Sequence, residues 1–253
     1  MKVITSCEDN IYLVTINRPE ARNAIDSETA TMLYNAFQSF EDNAKLKVAV
    51  LTGKGEHFCA GADLKALASG NVNRLEPDGP APLGPTRLQL SKPVVAAVSG
   101  YAVAGGLELA IWCDLRIIEE HTVFGVFCRR WGVPLIDGGT VRLARIIGTG
   151  RALDMILTGR PVEAQEALHI GLANRVVSRG KALESAMKMA REIAEHPQTC
   201  MKNDRLSMYE SFDRSLKDAM KNEFKRGMDS IASGELLEGI IRYGSGAGRH
   251  GKF

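Results

Sequence analysis

Two stretches of this 253-residue chain join a short β-branched run to a turn almost stripped of side chains, and that repeated habit constrains the fold most. The first is KVAVLTG at 47–53, followed by Phe58-Cys59-Ala60-Gly61-Ala62-Asp63-Leu64. The second is PVVAAVSG at 93–100, running into Tyr101-Ala102-Val103-Ala104-Gly105-Gly106-Leu107-Glu108. Where side chains shrink to a hydrogen or a methyl, a ligand can touch main-chain N–H groups directly, and two such donors converging on one oxygen make an oxyanion hole. Two tight packing turns would show the same spacing.

Around these runs, IYLVTIN at 11–17 alternates as a strand and breaks at Arg18-Pro19-Glu20. A long helix follows, with Asp26 as N-cap and Ala30, Leu33, Ala36, Phe37 and Phe40 on one buried face. DLRIIE at 114–119 and LANRVV at 172–177 read as further strands. Residues 69–85 hold four of the nine prolines, which excludes regular helix and predicts a mobile loop or lid, or else a plain surface insertion. From Gly138 onward apolar residues recur at helix period with glycine stops, and the tail 243–253, YGSGAGRHGKF, reads as flexible by composition. Strands early and helices late predict an α/β or α+β chain with a helical appendage. We expect a core over 1–195 and a helical region over 196–253, one continuous fold rather than independent domains.

Composition removes several functional classes. With 45% hydrophobic and 25% charged residues, the chain is neither fibrous nor disordered. Thirty-two Lys and Arg against 30 Asp and Glu leave a net charge of +2, which argues against a nucleic-acid partner. No apolar run approaches the roughly 18 residues of a membrane helix, and no signal peptide is legible, so a cytoplasmic protein without a membrane partner is expected. Five cysteines without C-x-x-C spacing read as reduced thiols. P-loop, zincin and nucleophile-elbow motifs are absent, and Gly244-x-Gly246-x-Gly248 lacks the strand a dinucleotide fingerprint needs.

Glu108 lies in the first turn of an apolar helix starting near Leu107. It either complements the helix dipole or is a carboxylate poised in a pocket. His57 and His121 sit in charged turns and read as surface residues, whereas Phe124, Phe127 and Trp131 line an acyl pocket or the core.

Four segments in order resemble the crotonase (enoyl-CoA hydratase and isomerase) superfamily: NRPEARNAID, HFCAGADLKAL, KPVVAAVSGYAVAGGLELAIWCDLRI and LTGRPVEAQEALHIGLANRVV. The resemblance implies a crotonase-like α/β spiral of ββα units, a C-terminal helical trimerisation region, and a homotrimer or dimer of trimers. It also implies an acyl-coenzyme A thioester as substrate, with no metal and no cofactor beyond the coenzyme A that the substrate carries. By position, the amides of Ala62 and Gly105 would hold the thioester oxygen, and Ala21, Arg22, Ala60, Asp63 and Leu64 would meet the coenzyme A portion.

One departure matters. Hydratases of this superfamily use two glutamates; Glu108 falls on the first, but Cys128 falls on the second, and a thiol of pKa about 8.5 is a poor proton donor. Cys128 and Trp131 are then acyl-pocket residues. A replacement carboxylate stands at Asp137, which as a plain structural residue would be the N-cap of the helix beginning near Thr140. The leading expectation is an enoyl-CoA hydratase-type enzyme; a double-bond or ring-type isomerase using Glu108 and Asp137 comes second. A noncatalytic acyl-CoA or RNA binder is a third, resting on Arg129, Arg130, Arg242, Arg249, His250 and Lys252.

Overall fold

Apolar runs of β-branched residues with no polar alternation belong in the middle of a sheet covered on both faces, and that is where the two runs lie. In the computed structural model, which describes residues 1–246, β3 (Val48–Gly53) and β4 (Val94–Val98) are parallel neighbours at the centre of a six-stranded sheet. With β1 (Val3–Glu8), β2 (Ile11–Ile16), β6 (Leu115–Glu119) and β9 (Arg175–Val177), the order is β1-β2-β3-β4-β6-β9. Only β1 runs antiparallel to its neighbour. A second, three-stranded sheet contains β5 (Tyr101–Val103), β7 (Val123–Gly125) and β8 (Val162–Glu163).

Helix α1 (Ser27–Asp42) buries the face read from its periodicity. Phe40 stacks on Tyr12 at 6.0 Å between centroids, and Phe37 meets Trp112 edge-on at 4.7 Å. Asp26 caps the helix, its Oδ1 accepting from Thr29 N at 2.9 Å and Thr29 Oγ1 at 2.6 Å. The other end is closed by Lys92, whose buried ammonium donates to the carbonyls of Phe40, Glu41 and Asn43 at 2.8–2.9 Å. A cation there answers the unpaired carbonyls and the dipole together.

Burial works against ionisation of Asp26, but hydrogen bonds from Lys2 and Thr29 outweigh it and hold the carboxyl at about 2. Asp26→Ala is expected to cost about 2 kcal/mol near neutrality, read as a lower Tm. A depressed pKa stabilises above the ordinary value of 3.8 and stops doing so as pH falls towards 2. The Tm values of the two proteins should therefore converge in acid.

The proline-rich segment 69–85 is exposed over most of 69–80 but packed at its inner end, where residues 81–85 are all buried. Asn73 Nδ2 ties the loop to Ile25 O at 3.3 Å and Pro82 O at 2.8 Å. Gly84, at φ +96°, lies so close to α1 that a Cβ there would stand 2.3 Å from Ala30 O. Prolines stop regular structure without stopping packing.

The chain condenses into two compact units, Met1–Glu192 and Ile193–Phe253. The first also carries α2 (Leu64–Ala68), α3 (Gly105–Trp112), α4 (Gly139–Ile147), α5 (Thr149–Thr158) and α6 (Ala164–His169). The division falls within the last turn of helix α7 (Ala182–Glu195). The second unit contains α8 (Gln198–Ser211), α9 (Leu216–Ala232) and α10 (Glu235–Gly244). Within it, Arg226 Nε donates to Glu210 Oε2 at 2.8 Å, and Glu235 accepts from the amides of Thr199 and Cys200 at the start of α8. Tyr243 and Gly244, assigned to a flexible tail by composition, are the last residues of α10. Gly248, Arg249, His250 and Lys252 lie outside the described residues.

Candidate active site

The two small-residue turns are zipped together. Cys59 N donates to Tyr101 O at 3.0 Å, and Val103 N donates to Cys59 O at 3.1 Å. On its other side the first turn pairs with Ile25, which donates to Gly61 O at 2.8 Å and accepts from Asp63 N at 3.0 Å. Alternation along an extended chain then turns the Ala62 N–H away from Ile25. Gly105 opens α3, so its N–H has no partner within the helix. Among the described residues neither amide donates to a protein acceptor.

The turns touch at Gly61. Its φ is +95°, and a Cβ there would stand 2.8 Å from Gly105 N and 3.0 Å from Ala104 Cβ. Gly106 is equally constrained, since a Cβ on it would fall 2.0 Å from Cys59 O. Between them Ala104 is held at φ 53°, ψ −124°, a conformation costly for any residue with a side chain and one that sets the direction of the Gly105 amide.

All eight residues of α3 are buried, Glu108 among them with 2% exposure. Glu108 Oε1 accepts from Asp137 N at 2.9 Å and Gly139 N at 2.8 Å. Its Oε2 has no hydrogen-bond partner among the described residues. Burial, then the charge of Asp137, pushes Glu108 up to about 7, against the pull of those amides. Gly139 leaves the carboxylate room, because a Cβ there would lie 2.8 Å from Oε1.

Asp137 is not the N-cap of α4. Gly138 holds that position without a side-chain bond, and the Asp137 carboxylate turns instead to the proline-rich segment. Oδ1 accepts from Leu83 N at 3.0 Å and Thr86 Oγ1 at 2.5 Å. Burial raises this carboxyl too, while Thr86 and Leu83 hold it back. Two carboxylates, each shifted upward and bridged by the main chain of 137–139, form a pair able to keep one proton near neutrality.

Cys128 lies on a 3-10 turn over Phe127–Trp131, 6% exposed; burial, then the charge of Glu108, raises its thiol. It is a neutral group beside the acid pair. Trp131, on the same turn, is 72% exposed, so the core reading fails for it, whereas Phe124 is a core residue. His57 and His121 are half-buried rather than superficial. His57 Nδ1 accepts from Tyr101 N at 3.3 Å, and His121 Nδ1 lies 3.6 Å from Glu119 Oε2. Neither is paired with Glu108 or Asp137.

Of the residues expected near coenzyme A, Ala60 N donates to Arg22 O at 3.0 Å, and Ala21 is half-buried on the turn before it. Arg22 is exposed and lines a pocket of about 310 Å³ with Pro19, Lys54 and His57. Leu64 is 43% exposed at the start of α2. The Asp63 carboxylate is already engaged: it caps α2 through Lys65 N and Ala66 N at 3.1 Å and pairs with Arg18 at 2.8 Å. Arg18 and Asn23 escaped sequence reasoning. Arg18 also donates to Ala24 O at 2.5 Å, and Asn23 Nδ2 to Lys54 O and His57 O at 3.0 and 2.6 Å, fastening the loop after β2 to the first turn. The NRPEARNAID segment carried that signal.

Two sheets, abutting amide-bearing turns and a buried glutamate one turn into α3 define the α/β crotonase fold, and comparison with known proteins agrees. The family model described as enoyl-CoA hydratase/isomerase matches residues 6–245. A carnitinyl-CoA dehydratase of Salmonella arizonae is 44% identical over 189 residues, 73% of this chain and 71% of that protein. Enoyl-CoA hydratase EchA19 of Mycobacterium tuberculosis is 34% identical over 234 residues, covering 90% and 87%. The crystal structure of enoyl-CoA hydratase EchA1 from Mycobacterium marinum superposes with a TM-score of 0.91 at 33% identity, covering 96% of each chain. The chain belongs to the enoyl-CoA hydratase/isomerase family. It is a hydratase-type enzyme, a hydro-lyase. Acyl-CoA thioesters are the substrate class this membership implies. No helix among the described residues is long and apolar enough to cross a membrane.

Proposed function

We propose that this enzyme adds water to an enoyl-CoA, or removes it from a 3-hydroxyacyl-CoA, using Glu108 and Asp137 as its proton-transfer pair. The carrying observation is the Glu108 carboxylate, buried, set near 7 and held by one oxygen with the other unengaged. The reactive form of the pair has its proton on Asp137. Glu108 Oε2 takes a proton from water as the water oxygen bonds to the β-carbon. The π electrons move to the thioester oxygen, where the amides of Ala62 and Gly105 stabilise the enolate. Collapse of the enolate draws the Asp137 proton onto the α-carbon, and the proton on Glu108 restores the pair.

Ala21, Arg22, Ala60 and Leu64 are proposed along the coenzyme A portion; at Asp63 the backbone makes the contact, its carboxylate being engaged elsewhere. Cys128 and Trp131 are proposed at the acyl end. Exposed apolar side chains of the second unit, among them Met220, Phe224, Met228 and Ile231, support a C-terminal trimerisation region and hence a homotrimer or dimer of trimers. Five unpaired thiols fit a cytoplasmic setting.

The test is turnover. Purified protein given a short trans-2-enoyl-CoA should hydrate it, and Cys128→Ala should keep its turnover within about twofold of wild type, since a thiol whose pKa is raised is a poor proton donor. A 3-enoyl-CoA consumed without water uptake would favour double-bond migration by the same pair, a route that needs only one shuttling carboxylate. Wild-type inertness toward both thioesters would contradict the reading.

A further inference from the structure

The hydroxyl of Thr86 has no exposure to speak of and one partner, Asp137 Oδ1 at 2.5 Å. It directly follows the segment whose prolines suggested a loose loop. Leu83 N fills a second position on the same oxygen at 3.0 Å. Arg142 closes the arrangement from α4, donating to Asp137 O at 3.0 Å and to Thr86 O at 2.7 Å, so the backbones on both sides of the hydroxyl–carboxylate contact are clamped together. Asp137 Oδ2 has no hydrogen-bond partner among the described residues.

We propose that Thr86 is a positioning residue of the proton-transfer pair: with Leu83 N it occupies one oxygen of Asp137, fixes the plane of the carboxyl and leaves the other oxygen to the substrate. The inference rests on the role proposed above for Asp137. An aspartate has two χ angles, and a carboxyl free to rotate would present its proton to the α-carbon only part of the time. Misplacement of about 1 Å can cost as much as 100-fold in rate. A second effect has a definite sign. The hydroxyl donates to the ionised form of Asp137, so its removal favours the protonated form and moves the acid limb of the pH–rate profile upward. The other charged or titratable groups facing Asp137 are Glu108 from α3, Arg87 beside Thr86, Arg142 from α4 and Cys59 from the first turn.

The experiment compares Thr86→Val, Thr86→Ala and Thr86→Ser with wild type and Asp137→Asn, measuring kcat, KM, pH profile and Tm. We expect Thr86→Val to lower kcat by about tenfold or more with KM little changed and to move the acid limb up by about one pH unit. Thr86→Ser should restore both. Thr86→Ala, which adds no bulk, gives the same reading if valine disturbs folding. A normal pH profile and kcat in both hydroxyl-free variants, with Asp137→Asn impaired, would overturn the positioning role alone. Full activity in Asp137→Asn would overturn the role of Asp137 and this inference with it.

Discussion

Glu108→Gln should slow turnover by about three orders of magnitude while leaving coenzyme A binding within a few-fold of wild type, because the amide keeps the shape and the contacts to Asp137 N and Gly139 N but cannot take a proton. Wild-type activity should fall as pH rises past about 7, where the pair gives up its one remaining proton. The same shift makes a stability prediction with its own sign. The folded-state pKa lies above the ordinary 4.5, so the proton-linked stability is full below 4.5 and is lost as pH rises through about 7. Above that, an ionised buried carboxylate costs the wild type of order 3 kcal/mol. The glutamine variant escapes this cost, so its Tm should gain on wild type between pH 5 and pH 8. A constant Tm difference across that interval would contradict a buried, upshifted Glu108, and unimpaired turnover would remove it from the chemistry.

Gly61→Ala is expected to be nearly as damaging from a position that bears no side chain. The new Cβ would be aimed at Gly105 N, 2.8 Å away, and at Ala104 Cβ, 3.0 Å away, and neither is the loose end of a flexible group. A φ of +95° is strained for alanine as well. Since the turns must part to admit the methyl, the amides of Ala62 and Gly105 can no longer share one oxygen. Losing one such donor costs about 3 kcal/mol or more, so turnover should slow by roughly two to three orders of magnitude. Coenzyme A itself, which lacks the acyl carbonyl, should bind nearly as before in a calorimetric titration. A variant that folds and turns over normally would show that the amide pair does not hold the thioester.

What could be read from residues alone divides along physical lines. The face of α1 and its cap at Asp26 were legible because a helix repeats its burial every three or four residues. The central strands β3 and β4 were legible because burial on both faces leaves nothing but apolar residues. Strand β1 was not, since five of its six residues are exposed and only pairing with β2 makes it a strand. Strands β5, β7 and β8 run for three residues or fewer, too short for a period to register. At the site, Glu108 stood out as an acid in an apolar helix. The partners of Asp137 lie 51 and 54 residues away along the chain. A local pattern therefore offered a helix cap where the fold supplies a long-range clamp. Arg18 and Lys92 were passed over for the same reason: the Asp63 carboxylate that Arg18 pairs with and the carbonyls that Lys92 satisfies are brought near only by the folded chain.

The burial of residues 81–86 bears on how this enzyme could be re-engineered. A designer wanting to accommodate a different acyl group would look first to the irregular stretch between α2 and β4, the least regular piece of the first unit. Grafting a substitute there would also discard the threonine and the leucine amide that hold Asp137. Replacing that stretch and retuning the acidity of Asp137 are one operation in this molecule, and a successful transplant must leave residues 81–86 in place.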